Sequence, residues 1–173
     1  MSARWLAPLV ALALPGAAAA QVPPEPAPPD QTPQALFEDL VVKDARTTAS
    51  VRSLLQSDAG FVGTPAFADL TGDGRMDAIV SVRVPGAAGT VAVYVFSSAG
   101  TDADRLRAIF RTQALYRART GIAGTTLTIG QPRWARGDDL CCPAARTERD
   151  YVWAARTRTL RRTGDERVVD LGT

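Results

Sequence analysis

Two apolar runs with a proline- and glycine-containing turn between them constrain this chain more than any other feature. Residues 78–84 read AIVSVRV and residues 91–96 read VAVYVF, with Pro85-Gly86-Ala87-Ala88-Gly89 in the gap. Val- and Ile-rich segments favour extended backbone, and a short loop containing glycine returns one strand beside the other. The segment is predicted to form a β-hairpin whose second arm is a buried strand.

Upstream the period is helical. Leu36, Phe37, Leu40 and Val41, then Val51, Leu54 and Leu55, fall at three- and four-residue spacings, with Thr47, Thr48 and Ser50 as candidate caps. Two short helices, or one helix broken near Lys43 to Arg46, fit this pattern, and Gly60 and Gly63 then punctuate the chain. Downstream, strands are expected at Leu106–Phe110, Gln113–Arg117, Thr125–Ile129, Tyr151–Ala155 and Thr159–Arg162. Their connections are short, which suits antiparallel neighbours, because parallel pairing needs longer crossovers. The expected fold class is α+β, with short N-terminal helices packed on an antiparallel sheet of about five to seven strands. No internal repeat is visible.

The first residues predict export. Arg4 precedes an apolar stretch from Trp5 to Leu14, then Pro15-Gly16 and the small residues Ala17 to Ala20. These are the basic, apolar and cleavage regions of a secretory signal peptide, with cleavage expected after Ala20. The stretch is far short of the roughly 20 residues that span a bilayer. Residues 1–20 are therefore read as a signal peptide. Residues 21–33, with six prolines in QVPPEPAPPDQTP, read as an extended linker or stalk. Residues 34–173 have the size of a single domain. The expected location is secreted or periplasmic, with no membrane span after signal cleavage.

Charge and composition exclude several function classes. From Gln21 to Gly100 there are nine acidic and five basic residues, and from Thr101 to Thr173 nine acidic and fourteen basic, nearly all arginine. No run of five like charges occurs, so a nucleic-acid partner is not expected. There is no histidine. That removes Ser-His-Asp and Cys-His nucleophile pairs, His-ligated zinc and the commonest general base near neutral pH.

Residues 69–77, DLTGDGRMD, place side-chain oxygens of Asp69, Thr71, Asp73 and Asp77 at loop positions 1, 3, 5 and 9. Gly74 occupies position 6, and the carbonyl of Arg75 stands at position 7. Calcium takes six to eight hard oxygen ligands, and such alternation aims them at one centre. Val80 at position 12 and the strand that follows exclude an EF-hand. The stretch FADLTGDGRMDAIVSV resembles the calcium-binding turns of FG-GAP and VCBS-type repeats, in which such a loop leads into a β-strand. Those families build propellers from several repeats, whereas this chain holds a single copy, so their architecture and adhesion role do not carry over. The resemblance implies a structural calcium ion of weak affinity, about 10⁻⁴ to 10⁻³ M. The alternative is a metal-free turn formed by the aspartates themselves.

Cys141 and Cys142 are adjacent and are followed by Pro143. In an oxidising compartment they are open to a vicinal disulfide, to bonds with another chain, or to burial as thiols. Neighbouring Cα atoms stand about 3.8 Å apart, below the usual disulfide range, so ring closure strains the backbone and eases reduction. The pair reads either as a redox-labile switch or an apolar plate for a ligand, or as a structural turn lock.

The signal peptide, DLTGDGRMDA, VAVYVFS, LYRA, GDDLCCP and the RDYVW strand together resemble a group of uncharacterised exported proteins from GC-rich, actinobacterial-type bacteria. The resemblance implies secretion and one compact domain and carries no mechanism. Three functions compete. The first is a non-enzymatic exported module, with a calcium-braced loop, that binds a cell-envelope component or another protein, where Arg105, Arg107, Arg111, Arg117 and Arg119 offer a surface to anionic polymers. The second is a thiol-redox-responsive protein using Cys141 and Cys142. The third is a hydrolase gathering Asp69, Asp73, Asp77, Asp138 and Asp139 around a metal.

Overall fold

The computed structural model of the protein describes residues 32–99, 105–139 and 141–172. The expected signal peptide and most of the proline-rich linker lie outside these residues. The fold is α+β: two short helices pack on one of two antiparallel sheets.

Helix α1 spans Pro33–Lys43 and α2 spans Ala49–Gln56. Proline suits the first turn of α1, where its missing N–H costs nothing, and the Thr32 hydroxyl accepts from the Ala35 N–H. Thr48 caps α2 through the Val51 N–H. Thr47, also a candidate cap, is instead buried, and its hydroxyl donates to the Val41 carbonyl at 2.7 Å.

The strands are β1 (Phe61–Val62), β2 (Ala66–Ala68), β3 (Asp77–Val84), β4 (Gly89–Ser97), β5 (Arg107–Thr112), β6 (Arg119–Ala123), β7 (Thr126–Arg133), β8 (Ala145–Ala154) and β9 (Thr159–Asp170). The first sheet runs β1-β3-β4-β5, with β2 also paired to β3. The second is a meander, β6-β7-β8-β9. The strands thus divide between two layers. The predicted hairpin is β3–β4, closed from Ala78↔Phe96 to Val84↔Gly89.

Side chains alternate across a strand, so β3 and β4 feed two cores. Ala78, Val80, Val82, Ala92, Tyr94 and Phe96 meet Phe37, Val41, Val51 and Leu55 of the helices. Ile79, Val93 and Val95 meet Leu127, Ile129 and Leu160 of the second sheet. Burial on both faces is why the two strands read as nearly unbroken apolar runs. Each fully buried Val, Ile or Phe contributes about 1.5–3 kcal/mol relative to exposure.

The strand expected at Gln113–Arg117 is a loop. Ala114 and Arg117 take φ of 59° and 49°, left-handed values that no strand accommodates. Leu115 from this loop is nevertheless buried in the inter-sheet core, and its N–H donates to the Val91 carbonyl. Strands β1, β2 and β6 were not expected: two are very short, and β6 is exposed along its length. Among the described residues no helix is long and apolar enough to cross a membrane.

Candidate functional site

The aspartate loop joins β2 to β3, and all five of its predicted ligands fall there. Asp69 Oδ1 accepts the N–H groups of Gly72 and Asp73 at 2.7 and 3.1 Å, and its Oδ2 accepts from Gly74 at 2.9 Å. Asp77 opens β3 and is only 1% exposed; its Oδ2 accepts from Leu70 and Thr71. Asp73 accepts the Arg75 N–H and pairs with the Arg75 guanidinium at 3.1 Å. The amide of Arg75 first, then its guanidinium, holds the Asp73 carboxyl below its ordinary range. Gly72 and Gly74 stand at φ of 72° and 82°, which the turn requires and other residues resist.

This arrangement is an aspartate-held turn. Its carboxylate oxygens face backbone donors and one guanidinium, and the carboxylates do not gather into a cage. Among the described residues no three His, Cys, Asp or Glu side chains form a group able to hold a metal. Asp138 and Asp139 accordingly do not join Asp69, Asp73 and Asp77, so the hydrolase constellation is not assembled.

Asp138 serves the loop between β7 and β8. Its Oδ2 accepts the N–H groups of Ala135 at 2.8 Å and Ala144 at 2.9 Å, clamping both ends of the loop. Those two bonds, Ala144 first, hold its carboxyl below the ordinary range. The Asp139 carbonyl accepts the Cys142 N–H at 3.0 Å. The aspartate pair thus holds the cysteine turn from inside.

Cys141 and Cys142 form a disulfide with each other, with Cα atoms 3.8 Å apart. No cysteine is free. Both residues are exposed, and the Cys141 carbonyl accepts from Arg117 Nη2 at 3.3 Å. Beside them lies a cleft of about 120 Å³ lined by Arg117, Arg119, Gly130, Cys141, Pro143 and Arg146, with Pro132 and Leu171 completing its apolar wall. Arg119↔Gly130 is a cross-strand pair, and Gly130↔Glu148 continues it into β8. Arg146 also pairs with Glu148 at 2.6 Å.

The arginine row does not form one surface. A bulge in β5 leaves Ile109 extra between Phe110, which pairs with Val95, and Ala108, which pairs with Phe96. Arg111 pairs with Asp44 of the helix layer at 2.7 Å, whereas Arg107 donates to the Arg158 carbonyl in the β8–β9 turn. Of the row, Arg117 and Arg119 reach the cleft.

Sequence reasoning named the cysteines but did not connect them with Gly130, Pro132 or Arg119. One signal was present: a glycine inside a strand marks close approach by another group. Comparison with protein-family models, curated proteins and solved structures finds no match.

Proposed function

We propose that this protein is an exported, non-enzymatic binding module, secreted or periplasmic, whose working surface surrounds the Cys141–Cys142 turn and engages a component of the cell envelope. The single observation that carries this reading is the exposed disulfide lining an arginine-flanked cleft. A purely structural lock has no need of exposure or of a cationic wall. Residues 1–20 and the resemblance to exported proteins support the location, and the lack of histidine, which removes the His-dependent catalytic pairs, supports the non-enzymatic part. The aspartate loop enters as a brace at the β2–β3 corner.

The test is export followed by envelope binding. The full chain, expressed in a bacterium, is expected outside the cytoplasm with Gln21 as its new N-terminus, and the purified product is expected to sediment with washed envelopes. Replacing Cys141 and Cys142 by Ser together with Arg119→Ala is expected to abolish sedimentation. Retention of Met1 in the cytoplasm, or sedimentation unaffected by these changes, would sink the proposal.

The exposure of both cysteines also favours a second reading, a thiol-redox-responsive protein. An external dithiol would donate two electrons and two protons to the disulfide, leaving two thiols here and a disulfide on the reductant. Alkylation followed by mass spectrometry reads this directly. Two labelled cysteines after mild dithiol treatment of the folded protein support it, and none under those conditions rejects it.

A further inference from the structure

The cleft beside the disulfide carries cations from three separate segments. Arg117 comes from the loop before β6, Arg119 from β6 and Arg146 from β8. A second hollow continues over Gly121, Thr128 and Gly130 and is bordered again by Arg119 and Arg146. Glu148 is the acidic residue on these walls, and it is held by Arg146 at 2.6 Å and Arg167 at 3.3 Å. Arg119 is exposed and forms no ion pair among the described residues. Arg119 therefore remains on this wall as a cation without an ion-pair partner among the described residues, and Arg146 keeps the rest of its guanidinium beside it.

Size and shape narrow the ligand. At about 30 Å³ per water, 120 Å³ holds roughly four waters, or one small oxyanion. Arginine presents five donors in a planar fork that matches carboxylate and phosphate oxygens. A carboxylate shows its two oxygens in one plane, whereas a tetrahedral phosphoryl group shows oxygens in several directions. Arg119 on β6 and Arg146 on β8 stand on either side of Gly130 of β7, and cations arriving from two sides suit the second. Pro132, Leu171 and the disulfide make the remaining wall less polar, which strengthens any ionic contact formed there.

We infer that this cleft is a binding site for a phosphoryl oxyanion, with Arg119 and Arg146 donating to its oxygens and Arg117 fixing the cysteine wall beside it. The inference rests on the reading that this surface is the working one. Such a group reaches an exported protein as a soluble phosphate or as part of a phosphodiester polymer, and both offer the same oxygens.

The test is an NMR titration of the uniformly ¹⁵N-labelled protein at constant ionic strength, with the amides of Gly130 and Cys142 as reporters. Inorganic phosphate and poly(glycerol phosphate) are the two probes, and sodium chloride is the control. Saturable shifts with at least one phosphate probe and not with chloride are expected. Arg119→Ala should weaken binding about tenfold, as loss of a charge-assisted contact does, and Arg119→Lys should recover part of it. The same spectra report whether each variant is folded. Tighter binding of the polymer assigns the source to an envelope polymer, and the reverse assigns it to a soluble phosphate. Shifts absent with both probes, or unchanged in Arg119→Ala, overturn the site. If envelope sedimentation persists while the titration is flat, the oxyanion site falls and the binding module stands.

Discussion

The side chain of Arg146 lies across the backbone of Gly130, so close that a Cβ on Gly130 would stand 3.1 Å from its Cδ. The contact couples a strand glycine on β7 to a guanidinium on β8. Because the near atom belongs to a flexible side chain, a larger residue at position 130 would move Arg146 rather than break the sheet. Gly130→Val is therefore expected to weaken phosphate binding about tenfold while changing stability by no more than about 1 kcal/mol. Titration and urea unfolding of the same variant check both halves, and unchanged binding would remove Arg146 from the site.

Tyr94 ties the helix layer to the first sheet. Its hydroxyl lies 3.1 Å from the Thr47 hydroxyl and 3.0 Å from Gln113 Oε1, and Gln113 in turn accepts from Thr48. Tyr94→Phe is expected to cost about 1–2 kcal/mol in urea unfolding. Burial pushes the Tyr94 pKa above its ordinary 10.0. A raised acid in the folded state means stability that is complete below that ordinary value and lost as pH rises through the folded one. The wild type should thus destabilise above pH 10 in part through Tyr94, and Tyr94→Phe should show a shallower alkaline loss.

Three carboxyl groups predict the acid side. Hydrogen bonds from Arg75 to Asp73, from Ala144 and Ala135 to Asp138, and from Arg167 and Thr128 to Asp150 hold each below its ordinary 3.8. Their contribution is present above that ordinary value and is lost as pH falls through the folded values. Unfolding free energy should therefore decline below about pH 4. Asp138→Asn should flatten part of that decline and speed hydrogen exchange at the Ala135 and Ala144 amides, leaving the β3–β4 amides unchanged.

Calcium is the discriminating addition at the aspartate loop. The geometry places its stability in carboxylate-to-amide bonds, so melting curves in millimolar calcium and in chelator are expected to coincide. Asp77→Ala should destabilise by about 3 kcal/mol under both conditions, because two amide donors lose their buried acceptor. A calcium-dependent rise in melting temperature that disappears in Asp73→Ala would establish instead that a metal braces the loop.

Local chemistry made much of the fold legible. The spacing of Phe37, Val41, Val51 and Leu55 marks the stretch as helical, and the structure resolves it into two helices with Thr48 capping the second. The paired apolar runs place β3 and β4, because a segment buried on both faces admits few polar residues. The run from Asp69 to Asp77 marks the turn, since glycines and aspartates act on their own neighbours. Gln113–Arg117 misled because its composition suits a strand, while two left-handed residues bend it away.

The sequence by itself determined the α+β class, the hairpin, the helical character of the stretch before it and the adjacency of the cysteines, all of which depend on periods and neighbours along the chain. Only the tertiary structure decided that the strands form two layers, that the β5 bulge parts Arg107 from Arg111, and that the disulfide is exposed. It alone brought Arg119, Gly130 and Arg146 beside Cys141. The reason is physical: alternation tells which side chains share a face, but partner strands and register come from burying two cores at once. A cleft made by three strands and the loops before β6 and after β7 exists only after that choice.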